Sequence, residues 1–160
     1  MQQEKRTLLL AIRPDDKPLA TAIIDDDYHA VYCHTYEQAQ ACLDEDIYAV
    51  VCGIHFDNGK VFDYLRHVRT HPAGRDIPVF ILLGNSSRYS PSIVHGMRRA
   101  AEVLGVTAFT DLIRLVDKVG KERAIDLLRQ GLRHPSKFNP PGQEPLPVHP
   151  INAHCLGSAD

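Results

Sequence analysis

Residues Tyr48 to Arg69 read YAVVCGIHFDNGKVFDYLRHVR. They begin inside an apolar run, Ile47 to Ile54 (IYAVVCGI), that shows no polar alternation. Such a run is expected of a strand buried on both faces of a sheet. Asn58-Gly59, following Asp57, is a turn signal. Val61 to Thr70 then places Val61, Phe62, Leu65 and Val68 at helical spacing. A buried strand that feeds a helix through a short polar turn is the repeating unit of a parallel sheet.

The same alternation runs outward in both directions. Thr7–Ile12, His29–His34, Ile77–Leu83 and Val106–Phe109 read as further strands. Pro14, Asp15, Asp16 and Pro18 break the chain after the first strand. They open a helix over Leu19–Ile24, with the two aspartates as its caps. Further helices are expected over Tyr36–Asp44, over Pro91–Leu104 with Gly105 as its C-cap, and over Asp117–Leu132. Five strand–helix units with right-handed crossovers make a three-layer, doubly wound α/β sandwich. The length suits a flavodoxin-like strand order, 2-1-3-4-5. A site would then lie at the carboxyl ends of strands one, three and four.

The chain has 160 residues, 44% of them hydrophobic and 24% charged. At this size roughly two-thirds of the unfolded surface can be buried, enough for a core without staples. From His134 onward proline is frequent and helical periodicity stops. The expected organisation is therefore a domain over residues 1–133 and a disordered, proline-rich tail over 134–160. The formal net charge of −2 gives no basic excess for nucleic acid or an anionic membrane. Leu8–Ile12 is too short for a signal-peptide core or a membrane span, so a soluble cytoplasmic protein is expected. No GxGxxG or GxxxxGK[ST] phosphate motif occurs, and no cofactor is expected. The cysteines Cys33, Cys42, Cys52 and Cys155 form no CxxC and read as free thiols, buried in the core.

In this frame the sequence resembles a response-regulator receiver domain of the CheY-like superfamily over about residues 6–132. Tyr48–Arg69 follows the receiver pattern around the third strand without a gap. Ile77-Pro78-Val79 is similar to the start of a receiver's fourth strand, and Gly105–Phe109 to its fifth. The resemblance implies phosphotransfer chemistry at four places. An aspartate ends strand three and attacks the phosphoryl donor. Two acidic residues after strand one hold Mg²⁺. A Ser or Thr follows strand four, and a Lys ends strand five.

This chain departs at each place. Gly53 falls at the phosphoacceptor, Ile12 and Arg13 at the acidic pair, and Leu83 at the Ser/Thr position. Leu112, or Asp111 with a shift of one, falls at the Lys position. Arg13 is a fixed cation, hostile to Mg²⁺ and suited to its electrostatic role. The resemblance therefore implies a degenerate pseudo-receiver. Such a module would bind a protein partner or a second copy through its fourth helix, fifth strand and fifth helix. Ile93, Met97, Arg98, Phe109, Asp111 and Arg114 would make that face. Phe109 matches the aromatic that reports the receiver switch. With leucine at position 83 the switch is expected to be uncoupled.

Other constellations give alternatives. Cys52 and His55 at the end of strand three could make a nucleophile or redox sensor, with the loop Gly84-Asn85-Ser86-Ser87-Arg88 as an anion nest. A buried, inert Cys52 and a plain loop are the expected outcomes. Asp57 could replace the acceptor in an atypical phosphorylatable regulator, but it lies about four residues beyond the proper place. His67 and His71 are four apart near a helix end and lack a third ligand, so no metal site is expected.

Overall fold

The computed structural model of the chain describes residues 4–84 and 89–138. Its centre is a five-stranded parallel sheet in the order β2-β1-β3-β4-β5. The strands are β1 (Arg6–Ala11), β2 (Tyr28–Cys33), β3 (Ile47–Gly53), β4 (Val79–Leu83) and β5 (Ala108–Asp111). The helices are α1 (Lys17–Ile24), α2 (Tyr36–Cys42), α3 (Val61–Thr70), α4 (Pro91–Val103), α5 (Leu112–Val119) and α6 (Lys121–Arg133). The expected strand order and the bounds of α3 hold.

Alternate side chains of each strand enter two separate cores. Leu9, Ala11, Val50, Cys52, Ile81 and Leu83 pack with α2, α3 and α4. Leu8, Leu10, Ala49, Val51 and Phe80 pack with α1 and α6 on the opposite face. Both faces of the central strands are therefore apolar, which is why their sequences show no alternation. Truncating one of these leucines to alanine would cost about 2–5 kcal/mol.

Most other element ends shift by one or two residues from the sequence expectation, and three differences have a structural cause. The last helix is two helices, broken at Gly120, which adopts φ +85° and ψ 160°. A non-glycine residue rarely enters that region, so the glycine sets the corner. The fifth strand begins at Ala108 rather than Val106 and runs on to Asp111. The Val106 N–H instead closes the end of α4 on the Ala101 carbonyl. The first helix is preceded by a 3-10 turn over Pro14–Asp16, and Asp16 makes no side-chain cap bond there.

Two side-chain clasps complete the frame. The Arg69 guanidinium on α3 donates to the carbonyls of Leu104, Gly105, Gly74, Arg75 and Ile77 at 2.8–3.2 Å. It ties the end of α4 to the segment leading into β4. Arg129 and Arg133 on α6 reach the Ala22 carbonyl (2.7 Å) and Asp27 (2.6 Å). The packed chain continues to Phe138, whose ring meets Phe80 edge-on at 6.1 Å between centroids.

Candidate functional site

Parallel strands bring all their carboxyl ends to one edge of the sheet. Ala11 pairs with Cys52, Gly53 with Leu82, and Leu83 with Asp111. The first residues after β1 stand beside the last residue of β3. Ile12 is buried, and its carbonyl accepts from Nδ1 of His34 at 2.9 Å. A carbonyl can only accept, so Nδ1 of His34 carries the proton.

Arg13 and Asp16 form a two-pronged ion pair, Nε to Oδ2 and Nη2 to Oδ1, both 3.2 Å. A Cβ placed on Gly53 would stand 3.5 Å from Oδ2 of Asp16 and 3.7 Å from the Ile12 side chain. The Arg13–Asp16 pair therefore lies against the last residue of β3. The hydrogen bond to Asp16 is the main cause that raises the Arg13 pKa above its ordinary value. Asp16 thus serves the guanidinium and not the helix end, contrary to the capping expectation.

On β4, Leu83 is fully buried in the core and offers no hydroxyl. Asp111 ends β5 opposite Leu83, and its Oδ1 accepts from the Arg114 N–H at 3.2 Å as the N-cap of α5. Leu112 is turned into the core on the other face of the sheet. The strand register thus brings Asp111, and not Leu112, to the end of β5. The His55 ring stacks on Tyr89, with centroids 5.6 Å apart, and its Nδ1 is 3.1 Å from the tyrosine hydroxyl. Tyr89 is also within the electrostatic surroundings of Arg13.

These residues do not suit a divalent cation of the receiver type. Gly53 carries no carboxylate, and the Arg13 guanidinium occupies both oxygens of Asp16 beside it. Among the described residues no group of three or more His, Cys, Asp or Glu could hold a metal ion.

The remaining candidates fall elsewhere. Cys52 is fully buried in the core beneath α2 and α3, and burial pushes its thiol pKa up. A neutral thiol is a poor nucleophile. Asp57 sits in a left-handed turn at φ +41°. Its carboxylate accepts from the Tyr36 N–H at 2.8 Å, with Lys60 3.6 Å away, so it is engaged at the start of α2. The His67 and His71 rings lie 5.6 Å apart. Asn85–Arg88 of the suggested anion nest, and Cys155 of the tail, lie outside the described residues.

The proposed partner residues divide into two layers. Phe109 and Asp111 are buried, Met97 is half-buried against the core, and Ile93 and Arg114 are exposed. The Arg98 guanidinium lies 5.0 Å over the Phe109 ring and donates to the Phe109 carbonyl at 3.4 Å. Arg98, Asp111 and Arg114 meet in a groove of about 350 Å³ that Tyr89, Val94 and His95 also line. Sequence reasoning missed those last three. The signal was present, because Pro91, Val94, His95 and Arg98 recur at i, i+3, i+4 and i+7 on one face of α4.

No protein-family model matches the chain, and no curated protein is significantly similar to it. Solved structures are similar in fold. A signal receiver domain of a two-component histidine kinase from Clostridium thermocellum superposes with a TM-score of 0.61 at 18% identity, covering 84% of this chain and 99% of that one. The chemotaxis response regulator CheY4 of Vibrio cholerae gives a TM-score of 0.58 at 12% identity, covering 81% and 99%. The receiver domain of a sensor histidine kinase from Pseudomonas aeruginosa, solved with magnesium in its active-site cleft, gives 0.58 at 16%, covering 81% and 99%. The chain thus shares the fold of these receiver domains, a five-stranded parallel sheet in the order β2-β1-β3-β4-β5 with helices around it.

Proposed function

We propose that this chain is a non-phosphorylatable receiver module of a cytoplasmic signalling system, and that it acts by binding protein rather than by catalysis. The observation that carries the reading is Gly53 at the end of β3, with the Arg13–Asp16 ion pair 3.5 Å from its would-be side chain. Glycine supplies no oxygen to attack a phosphoryl group. Arg13 is a fixed cation at this edge, and its charge is balanced by Asp16. Leu83 and Asp111 stand at the ends of β4 and β5 in place of the other two phosphoryl contacts.

The module is read through α4, β5 and α5, by Ile93, Met97, Arg98, Phe109, Asp111 and Arg114. Phe109 is buried and held under Arg98, and Leu83 has no hydroxyl to couple it to the vacant site. The face therefore keeps one conformation, with no phosphate-dependent alternative. The alternative built on Cys52 and His55 finds less support, because the thiol is enclosed and kept neutral by burial.

Incubation with acetyl phosphate and Mg²⁺, read by intact mass, tests this. The expected mass is unchanged. A phosphoryl adduct on Asp57, Asp16 or Asp15 would overturn the reading.

A further inference from the structure

The three described cysteines differ in their surroundings. Cys33 ends β2, Cys42 is the last residue of α2, and Cys52 lies in β3. Cys33 and Cys52 are fully enclosed in the core beneath α2 and α3, and Cys42 is half-buried at its margin. The sheet keeps the two enclosed thiols apart. Ala11 is the register partner of both, so it stands between them. Two strand spacings separate their Cα atoms by about 9–10 Å, beyond the roughly 7 Å that a disulfide can bridge.

The helix brings the third thiol to the first. The start of α2 is fixed, because the Thr35 hydroxyl accepts from the Gln38 N–H at 3.2 Å and the Asp57 carboxylate from the Tyr36 N–H at 2.8 Å. Ala39 is fully buried, and its carbonyl accepts from the Tyr64 hydroxyl at 3.1 Å. Cys42 follows Ala39 by three residues, on the same face of the helix. Its thiol thereby meets Cys33, and the two share a hydrogen bond.

We propose that Cys33 and Cys42 are a redox site, which hydrogen peroxide oxidises to a disulfide tying the end of α2 to the end of β2. Redox-sensing cysteines pair an accessible thiol with a resolving one beside it. Cys42 is the accessible partner. Burial and the Cys42 contact push the Cys33 thiol up to about 12, so it stays protonated and waits. The Cys42 thiolate attacks one peroxide oxygen. The O–O bond breaks, a sulfenic acid forms, and the hydroxide released takes up the proton that Cys42 gave to solvent. The Cys33 sulfur then attacks the Cys42 sulfur. The S–S bond forms, the S–O bond breaks, and the departing hydroxide leaves with the Cys33 proton as water. In sum, two thiols and one hydrogen peroxide give a disulfide and two waters. Neither thiol belongs to α4, β5 or α5, so the site does not depend on the partner-binding reading.

The test uses the reduced full chain, exposed to hydrogen peroxide at neutral pH, alkylated in denaturant and cleaved after glutamate. Cleavage after Glu37 and Glu45 puts Cys33, Cys42 and Cys52 on separate peptides. The mass before alkylation should fall by two hydrogen atoms, and a linked Cys33–Cys42 peptide pair should appear that a dithiol reductant separates. Cys52 should be recovered as a thiol. In Cys33→Ser the sulfenic acid should persist on Cys42, where dimedone captures it, and in Cys42→Ser no linked pair should form. A Cys42 oxidised to sulfinic acid with Cys33 still a thiol, a link through Cys52 or Cys155, or no reaction at Cys42 would overturn the proposal. The map of the unsubstituted chain decides the question even where a variant fails to fold.

Discussion

Arg13 and Asp16 lock together through two hydrogen bonds of 3.2 Å, and one of those carboxylate oxygens stands 3.5 Å from where a Gly53 Cβ would be. A cation and an anion from a single turn thus neutralise each other beside the last residue of β3. The pair is about one-third exposed on each side, so solvent screening limits its worth to about 1 kcal/mol or less. Its consequence is electrostatic occupancy rather than stability.

Gly53→Ala is expected to fold normally. The new methyl would meet Asp16 and Ile12 only at ordinary contact distances. Removing a glycine from a strand whose backbone suits alanine stabilises by about 0.4–1 kcal/mol. Urea denaturation checks this. A loss of more than about 1 kcal/mol would mean that the space beside Gly53 is closed by backbone, not by side chains.

Arg69 should matter more than any other surface arginine described here. Its guanidinium serves five carbonyls from two separate segments. Arg69→Ala leaves those acceptors to water or to nothing, at an expected cost of about 3 kcal/mol. Arg69→Lys should recover little of it, because an ammonium cannot span the fork. Full recovery by lysine would show that charge, not geometry, is what Arg69 contributes.

Stability should be greatest between the titrations of His67 and Cys33. Burial lowers the His67 pKa from its ordinary 6.5, so the unfolded chain takes up that proton first as pH falls. Stability present above pH 6.5 is then lost on acidification. At the other end, burial and the neighbouring Cys42 push the Cys33 thiol up to about 12 from an ordinary 9.0. The unfolded thiol ionises first, so stability is full below pH 9.0 and falls as pH rises toward 12. Burial of Cys52 and Tyr64 adds in the same direction. Melting temperature followed across this range checks both limbs; a flat alkaline limb would contradict the burial of these groups.

Thiol labelling of the native protein at pH 8, in a Cys155→Ser background, should modify Cys42 and spare Cys33 and Cys52. Cys42 is half-buried, whereas the other two are enclosed. Rapid native labelling of Cys52 would revive the redox reading.

The fold was legible because its strongest signals are local. β3 is an unbroken apolar run, and α3 starts after a glycine turn and carries four apolar residues on one face. The break at Gly120 was not read, because good helix formers flank it and a single glycine is tolerated inside a helical pattern. The role of Arg69 depends on carbonyls up to 36 residues away, which no local pattern encodes. Asp16 was read as a cap because Asp before a helix usually is one, yet a partner three residues earlier competed for the same carboxylate and won. The groove was half legible: Arg98, Asp111 and Arg114 came from the resemblance, whereas Tyr89, Val94 and His95 needed the packing of α4 against β5.

The central claim is that the edge around Gly53 holds no acceptor for a phosphoryl group. Beryllofluoride with Mg²⁺ mimics an acyl phosphate and needs both a carboxylate and the metal. Titrated into the ¹⁵N-labelled protein, it should leave the amides of Arg13, Gly53, Ile54 and Asp111 unmoved. Saturable, Mg²⁺-dependent shifts at those amides would contradict the account.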